Sequence, residues 1–359
     1  MAPHVAQPRR TTSGLLAVAV AGVLLAVSAP AAREAVAPAP ALDQRDAILE
    51  RAESLPRLRS LLVSMEGDLL EEHYFNGATV RSQANLKSAS KTLISILVGI
   101  AMDRGHVAGV DQPISDFFPD ELAETDGARR AITVEDLLTM RSGLETTSNR
   151  NYGRWVQSRN WVRHVLTRPM VDRPGGRMIY STGSTHLLSA ILTRATGVST
   201  LEFARRNLAR PLGITLPAWR RDPQGIYFGG NEMTLTARAM LAVGDLYRRG
   251  GSIDGFEVVS REWIRESFKP RTVSRYSRRQ YGYGWWMRSL AGHRTHYAWG
   301  YGGQFIFVIP SLDSVIVATS SPNPGAGRRH HRRELDALFE RQLVPALRRA
   351  HAAARESAP

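Results

Sequence analysis

The chain has 359 residues, 43% of them hydrophobic, enough for one large domain or two intimately packed ones. Its 47 basic residues outnumber 33 acidic ones, giving a formal net charge of +14, yet no nucleic-acid-binding module is recognisable and nucleic acid is not an expected partner. The absence of cysteine excludes disulfides, thiol catalysis and a lipid-modified cysteine anchor.

The arginines are scattered apart from Arg328-Arg329-His330-His331-Arg332-Arg333 and Arg348-Arg349. The excess charge therefore reads as a basic surface, with weak contact to anionic envelope polymers as the partner it favours. At the N-terminus, Arg9-Arg10 precede an unbroken small and apolar run over 14–29, and small residues follow as far as Ala32. This predicts a signal peptide over 1–32, cleaved near Ala31, and hence a secreted or periplasmic protein. The run is short for a stable span, which makes an uncleaved membrane anchor the second reading. Residues 33–45, rich in Ala and Pro, predict a disordered linker, 46–350 the folded domain, and 351–359 a disordered tail.

Residues 46–52 predict a short helix, and 58–63 with 69–75 around Gly67-Asp68 a β-hairpin. From 92 to 102 nearly every residue is apolar or small, so this helix lacks a polar face and is expected to be buried, stopping at Gly105. Ser88 and Lys91 fall on its first turn, three residues apart on one face, at the positive end of the helix dipole. A hydroxyl is a weak nucleophile until a base takes its proton, and a desolvated lysine is such a base. Composition sharpens the pair. Only three lysines, Lys87, Lys91 and Lys269, stand among 44 arginines, and arginine cannot deprotonate to act as a base.

Thr133, followed by Glu135 and Asp136, caps a predicted helix over 137–140 that ends at Ser142-Gly143. Residues 155–167 predict another helix. A Pro174-Gly175-Gly176 turn then leads into an extended segment ending at Tyr180, with helices expected from Ser184 to Gly197, over 200–209, and from about Thr236 to Tyr247. Strands are predicted at 281–287, 294–299, 304–309 and 314–319, and an amphipathic helix at 333–349. Trp285, Trp286, Trp299 and Tyr301 are candidates for an apolar pocket, with core packing the competing reading for the first two. His293, His296 and His330-His331 have no carboxylate or cysteine partners at ligand spacing, so no metal site is expected. Gly300-x-Gly302-Gly303 precedes a strand rather than a helix, so no dinucleotide cofactor is expected either.

Three ordered elements carry a resemblance: Ser88-x-x-Lys91, Tyr180 in Tyr-Ser-Thr, and Trp299-Gly300-Tyr301-Gly302-Gly303-Gln304 on a late strand. With the stretch 132–144 they resemble the serine β-lactamase-like hydrolases, and within these the class C β-lactamases, their esterase relatives and the nylon-oligomer hydrolases. The likeness runs from about residue 50 to 345. It implies an α+β fold, an antiparallel sheet flanked by helices and built from both chain ends, with a helical lobe inserted over about 105–225. It further implies that Ser88 is the acylated nucleophile, Lys91 its proton acceptor and Tyr180 a second general acid/base. The backbone N–H groups of Ser88 and Tyr301 would form the oxyanion hole, and Trp299, Gly300, Tyr301 and Thr182 would contact substrate. Ser142 is expected to be structural.

Two departures stand out. Tyr180-Ser181-Thr182 ends without the amide such relatives carry, and Ala298-Trp299-Gly300 lacks their cation. In the resembled lactamases and peptidases those positions help hold a substrate carboxylate. The expected substrate is therefore a small ester or amide rather than a β-lactam or a D-alanyl-D-alanine peptide, with Arg141 or Arg294 as candidates to restore carboxylate binding. The competing class is a non-catalytic receptor or envelope-binding protein on the same fold, which the intact Ser88, Lys91 and Tyr180 disfavour.

Overall fold

The computed structural model describes residues 42–325 and 327–357; the signal-peptide reading and most of the linker lie outside them. Leu42, assigned by sequence to the linker, is buried in the core, just ahead of α1 (Arg45–Glu53). A hairpin of β1 (Leu58–Met65) and β2 (Asp68–Tyr74) follows, turning at Glu66-Gly67, where both residues have positive φ. The buried helix α2 runs over Ser90–Asp103. Every residue from Ser90 to Ala101 is buried, as its all-round apolar sequence requires, and each large side chain contributes roughly 1.5–3 kcal/mol.

The chain then leaves the sheet. α3 (Val134–Leu138) carries a complete capping box, in which Asp136 N donates to Thr133 Oγ1 and Thr133 N to Asp136 Oδ2. It stops two residues earlier than the sequence pattern suggested, because Met140 turns left-handed at φ 62°. The helix predicted over 155–167 is two short ones, Tyr152–Val156 and Trp161–Leu166. α4 (Thr182–Thr196) begins two residues before its expected start and ends at Gly197, and α5 (Ala237–Arg248) is capped by Thr236.

Six strands complete the sheet: β3 (Thr272–Val273), β4 (Gln280–Tyr281), β5 (Trp286–Leu290), β6 (His293–Gly300), β7 (Gln304–Ile309) and β8 (Ser314–Ser320). Their order is β2-β1-β8-β7-β6-β5-β4-β3, with antiparallel neighbours throughout. The predicted strand over 281–287 is broken into β4 and β5 by a tight turn in which Gly284 has positive φ. Because β1 pairs with β8, the two ends of the chain meet in the sheet.

Strand alternation divides the core in two. Phe305, Phe307, Ile316 and Leu61 face α1 and the C-terminal helices α6 (Arg328–Leu338) and α7 (Val344–Ser357). Ile306, Val308, Val315 and Leu62 face α2 and α5. The last helix continues to Ser357 rather than giving way to a tail at 351, since Ala352-Ala353-Ala354 are strong helix formers.

Candidate active site

Ser88 lies in a 3-10 turn, Lys87–Ala89, that runs directly into α2, one turn ahead of the helix proper. Lys87 before it takes φ 50°, a left-handed conformation that costs a non-glycine residue about 1–2 kcal/mol. Asn85 and Glu232 hold it there. Lys87 N donates to Asn85 Oδ1 at 3.0 Å, Lys87 Nζ to Glu232 Oε1 at 3.3 Å, and Asn85 Nδ2 to Glu232 Oε2 at 2.8 Å. The strained turn leaves Ser88 half-buried while Lys91, one turn on, is only 2% exposed.

The Lys91 ammonium donates to Gly230 O at 2.7 Å and to Thr182 Oγ1 and Ser88 Oγ, both at 3.3 Å. Among the described residues it makes no ion pair with a carboxylate. Burial with no compensating anion pushes its pKa down to about 7. The Tyr180 ring centre lies 5.3 Å from Lys91 Nζ. Burial pushes its phenol up to about 12, and a hydrogen bond with the Ser88 side chain works in the opposite direction. Its backbone is pinned by Thr146 Oγ1, which donates to Tyr180 O at 2.7 Å, and by Ile179 N, which donates to Met140 O at 2.7 Å.

Ser88, Lys91 and Tyr180, some 90 residues apart in sequence, thus converge. Thr182 does not take its expected place. It is buried at the first turn of α4, where its hydroxyl accepts from Lys91 and pairs with Ser148 Oγ at 3.0 Å, so it supports the amine rather than facing a substrate. Sequence reasoning missed the other partner, Gly230. A Cβ there would lie 2.3 Å from Thr185 Oγ1 and 3.1 Å from Lys91 Nζ, so only glycine lets this carbonyl reach the amine. The next residue, Asn231, donates from Nδ2 to Tyr152 OH at 3.3 Å. The Gly229-Gly230 pair was the one available signal, and periodicity gives it no meaning.

Gly300 ends β6 hard against the turn that carries Ser88, where a Cβ would stand 2.0 Å from Leu86 O. This sets Tyr301 beside the Ser88 turn. Trp299 points to the other face and is half-buried, while Tyr301 is 40% exposed. Trp286 joins these rings to the centre, stacked on Tyr180 at 5.7 Å and edge-on to Trp299 at 5.6 Å. Trp285 instead packs in the core against Tyr247, and Ser142 is buried, accepting from Leu144 N. Neither arginine nominated for a carboxylate serves. Arg141 donates to the Gly175 and Gly176 carbonyls, fixing the turn before Tyr180, and Arg294 lies near the far end of β6, opposite Ser289.

Residues 60–341 match the family model described as Beta-lactamase. The chain belongs to the beta-lactamase family. It is similar to the 6-aminohexanoate-dimer hydrolase of Paenarthrobacter ureafaciens, with 27% identity covering 86% of each chain. Among solved structures it resembles a family VIII carboxylesterase, with a TM-score of 0.66, 16% identity, and coverage of 85% of this chain and 96% of that one. It likewise resembles a penicillin-binding protein from Bacillus halodurans, with a TM-score of 0.63, 18% identity, and coverage of 81% and 99%. These structural likenesses establish the fold. Family membership and the hydrolase relatives make the protein a serine hydrolase of the β-lactamase fold.

Proposed function

We propose that the protein cleaves a small ester or amide through an acyl-Ser88 intermediate, with Lys91 as general base and Tyr180 as general acid. The observation that carries this is a buried amine, 3.3 Å from the Ser88 hydroxyl, whose proton no carboxylate among the described residues retains. As a neutral amine, Lys91 directs its two N–H bonds to Gly230 O and Thr182 Oγ1 and its lone pair to Ser88 Oγ. It takes the hydroxyl proton as Oγ attacks the substrate carbonyl, and the backbone N–H groups of Ser88 and Tyr301 receive the developing oxyanion. Tyr180, kept protonated by its raised pKa, gives its proton to the leaving oxygen or nitrogen, and the Lys91 ammonium then reprotonates the phenolate. Water, deprotonated by the same groups, releases the acyl chain.

The relatives support this substrate class, one being a hydrolase of an amide-linked dimer and another a carboxylesterase. A fluorophosphonate probe followed by intact-mass measurement tests it. Wild type is expected to gain one adduct and Ser88→Ala none, with aryl-ester turnover lost in the variant. An adduct on another serine, with turnover retained, would overturn the assignment. We also infer export, with the signal peptide cleaved near Ala31. N-terminal sequencing of protein recovered outside the cytoplasm is expected to give a start between about Ala32 and Leu42, and an intact N-terminus on cytosolic protein would refute it.

A further inference from the structure

One turn beyond Thr182, on the same face of α4, stands His186, a buried histidine that the chemistry above does not use. Its side chain and that of Asp222 are both fully enclosed, with His186 Nε2 3.1 Å from Asp222 Oδ2. The other carboxylate oxygen, Asp222 Oδ1, accepts from the backbone N–H groups of Gln224 and Ile226, each at 2.9 Å. The rings of Trp161, Trp155 and Phe228 surround the imidazole, with centroids 5.4, 5.7 and 6.0 Å away. The ionisable groups that meet this aromatic enclosure are Arg220, 5.0 Å from the Trp161 ring centre, and Tyr152, stacked on Phe228 at 6.4 Å.

Gly229 N donates to His186 Nδ1 at 3.4 Å. A backbone N–H can only donate, so Nδ1 is unprotonated and the ring proton sits on Nε2, donated to Asp222. The carboxylate thereby fixes the tautomer that receives Gly229. The following residue is Gly230, whose carbonyl meets Lys91 Nζ at 2.7 Å. This segment is pinned from both directions. Ser189 Oγ donates to Tyr227 O at 2.6 Å and Trp219 Nε1 to Phe228 O at 2.9 Å. A Cβ on Gly229 would stand 2.1 Å from Thr185 O, so its backbone lies directly on α4. The helix thus reaches the amine twice, through the Thr182 hydroxyl and through His186, Gly229 and Gly230.

We infer that Asp222 and His186 are positioning residues for Lys91: the pair holds the Gly229-Gly230 turn so that the Gly230 carbonyl stays on the amine. The inference rests on the reading of Lys91 as general base and deepens it. A carbonyl that accepts from the amine favours its ammonium form, so a turn released from His186 lowers the pH at which Lys91 gives up its proton.

Asp222→Asn tests this with almost no change of shape. Oδ1 must remain an oxygen to accept from Gln224 and Ile226, so the amide nitrogen faces His186. Nε2 then becomes the acceptor and the ring proton moves to Nδ1, where it opposes the Gly229 N–H. Lys91 is one of three lysines, so labelling lysine with ¹³C at Cε resolves its titration directly and without turnover. The Lys91 midpoint is expected to fall by roughly one pH unit in Asp222→Asn, as for tenfold weaker stabilisation of the ammonium, and the rising limb of kcat/KM to move with it. His186→Asn keeps an acceptor near the place of Nδ1 and loses the Asp222 contact. Its midpoint is expected to stay at the wild-type pH although the protein melts lower. Imidazole ¹⁵N shifts, which need no variant, are expected to show His186 Nδ1 unprotonated in wild type at about pH 7.5. A protonated Nδ1 there, an Asp222→Asn midpoint that is unmoved or raised, or a His186→Asn midpoint that falls would each overturn the inference. A midpoint that falls as expected while kcat/KM ignores it would uphold the positioning role and refute Lys91 as the base.

Discussion

Replacing Lys91 by arginine separates two properties that lysine combines, a positive charge and the ability to lose it. The fall in the Lys91 pKa from 10.5 to about 7 corresponds, at about 1.4 kcal/mol per pKa unit, to roughly 5 kcal/mol against the charged amine in this pocket. Arginine cannot shed its proton, so Lys91→Arg carries that cost at every pH, whereas the lysine escapes it progressively above about pH 7 by becoming neutral. Relative to wild type the variant is expected to lose stability above pH 7, by about 1.4 kcal/mol per pH unit in urea unfolding, and to acylate at least about 10²-fold more slowly, the low end for loss of a general base. Lys91→Met supplies the control: a neutral chain of similar length is expected to show no such cost of burying charge and none of the rate. Pre-steady-state release of nitrophenol from an aryl ester reads the acylation step directly. A Lys91→Arg enzyme within a few-fold of wild type, or an active Lys91→Met, would refute proton transfer to this amine.

The remaining predictions are more local. Because the protonated amine cannot accept the Ser88 proton, kcat/KM is expected to rise with pH through a limb near pH 7; a flat or falling profile between pH 5.5 and 9 contradicts this. The phenol at about 12 should introduce no opposing limb in that range. Tyr180→Phe is expected to slow turnover at least about 10²-fold with the unfolding midpoint unchanged, measured on the same ester and by circular dichroism. Gly230→Ala places a methyl 2.3 Å from Thr185 Oγ1 and is expected to cost about 1–3 kcal/mol of stability together with activity; an unaltered melting curve would show that the loop yields more easily than its packing suggests.

What could be read in the sequence was what short-range chemistry dictates. The apolar run over 92–102 had to be a buried helix, and the runs at 304–309 and 314–319 read as strands; the structure shows them paired with each other near the middle of the sheet. Ser88 and Lys91 were legible because one helical turn joins them. Tyr180 was legible only through the family resemblance, since nothing local connects it to a serine 92 residues earlier. Gly230 escaped, and Thr182 was assigned to the substrate instead of the amine, for the same reason in stronger form. Their service to Lys91 comes from a carbonyl and a hydroxyl brought in by tertiary packing, and neither group leaves a pattern along the chain. The arginine run at 328–333 was visible as charge, but the placement of Arg332 over the Trp299 ring and Arg328 over the Tyr301 ring depends on how the C-terminal helix packs on the sheet.

The scarcity of lysine needs a sharper formulation than composition alone provides. If lysine were kept only where an amine is indispensable, all three lysines would be irreplaceable, and the structure does not treat them alike. Lys269 has a side chain 48% exposed and pairs with Glu266, a carboxylate shared with Arg271. Lys87 pairs with Glu232. In both the ammonium is held by an anion, a task arginine performs as well or better. Lys91 alone among the three is buried against a carbonyl and hydroxyls. The distinguishing feature is therefore the partner: an amine can release its proton when no carboxylate holds it. Lys269→Arg is accordingly expected to leave aryl-ester kcat/KM within about twofold and stability within about 0.5 kcal/mol, as for most exposed substitutions. A tenfold loss of turnover in that variant, measured beside Lys91→Arg under the same conditions, would show that the paired lysines are not interchangeable with arginine and that the choice of Lys91 rested on the wrong property.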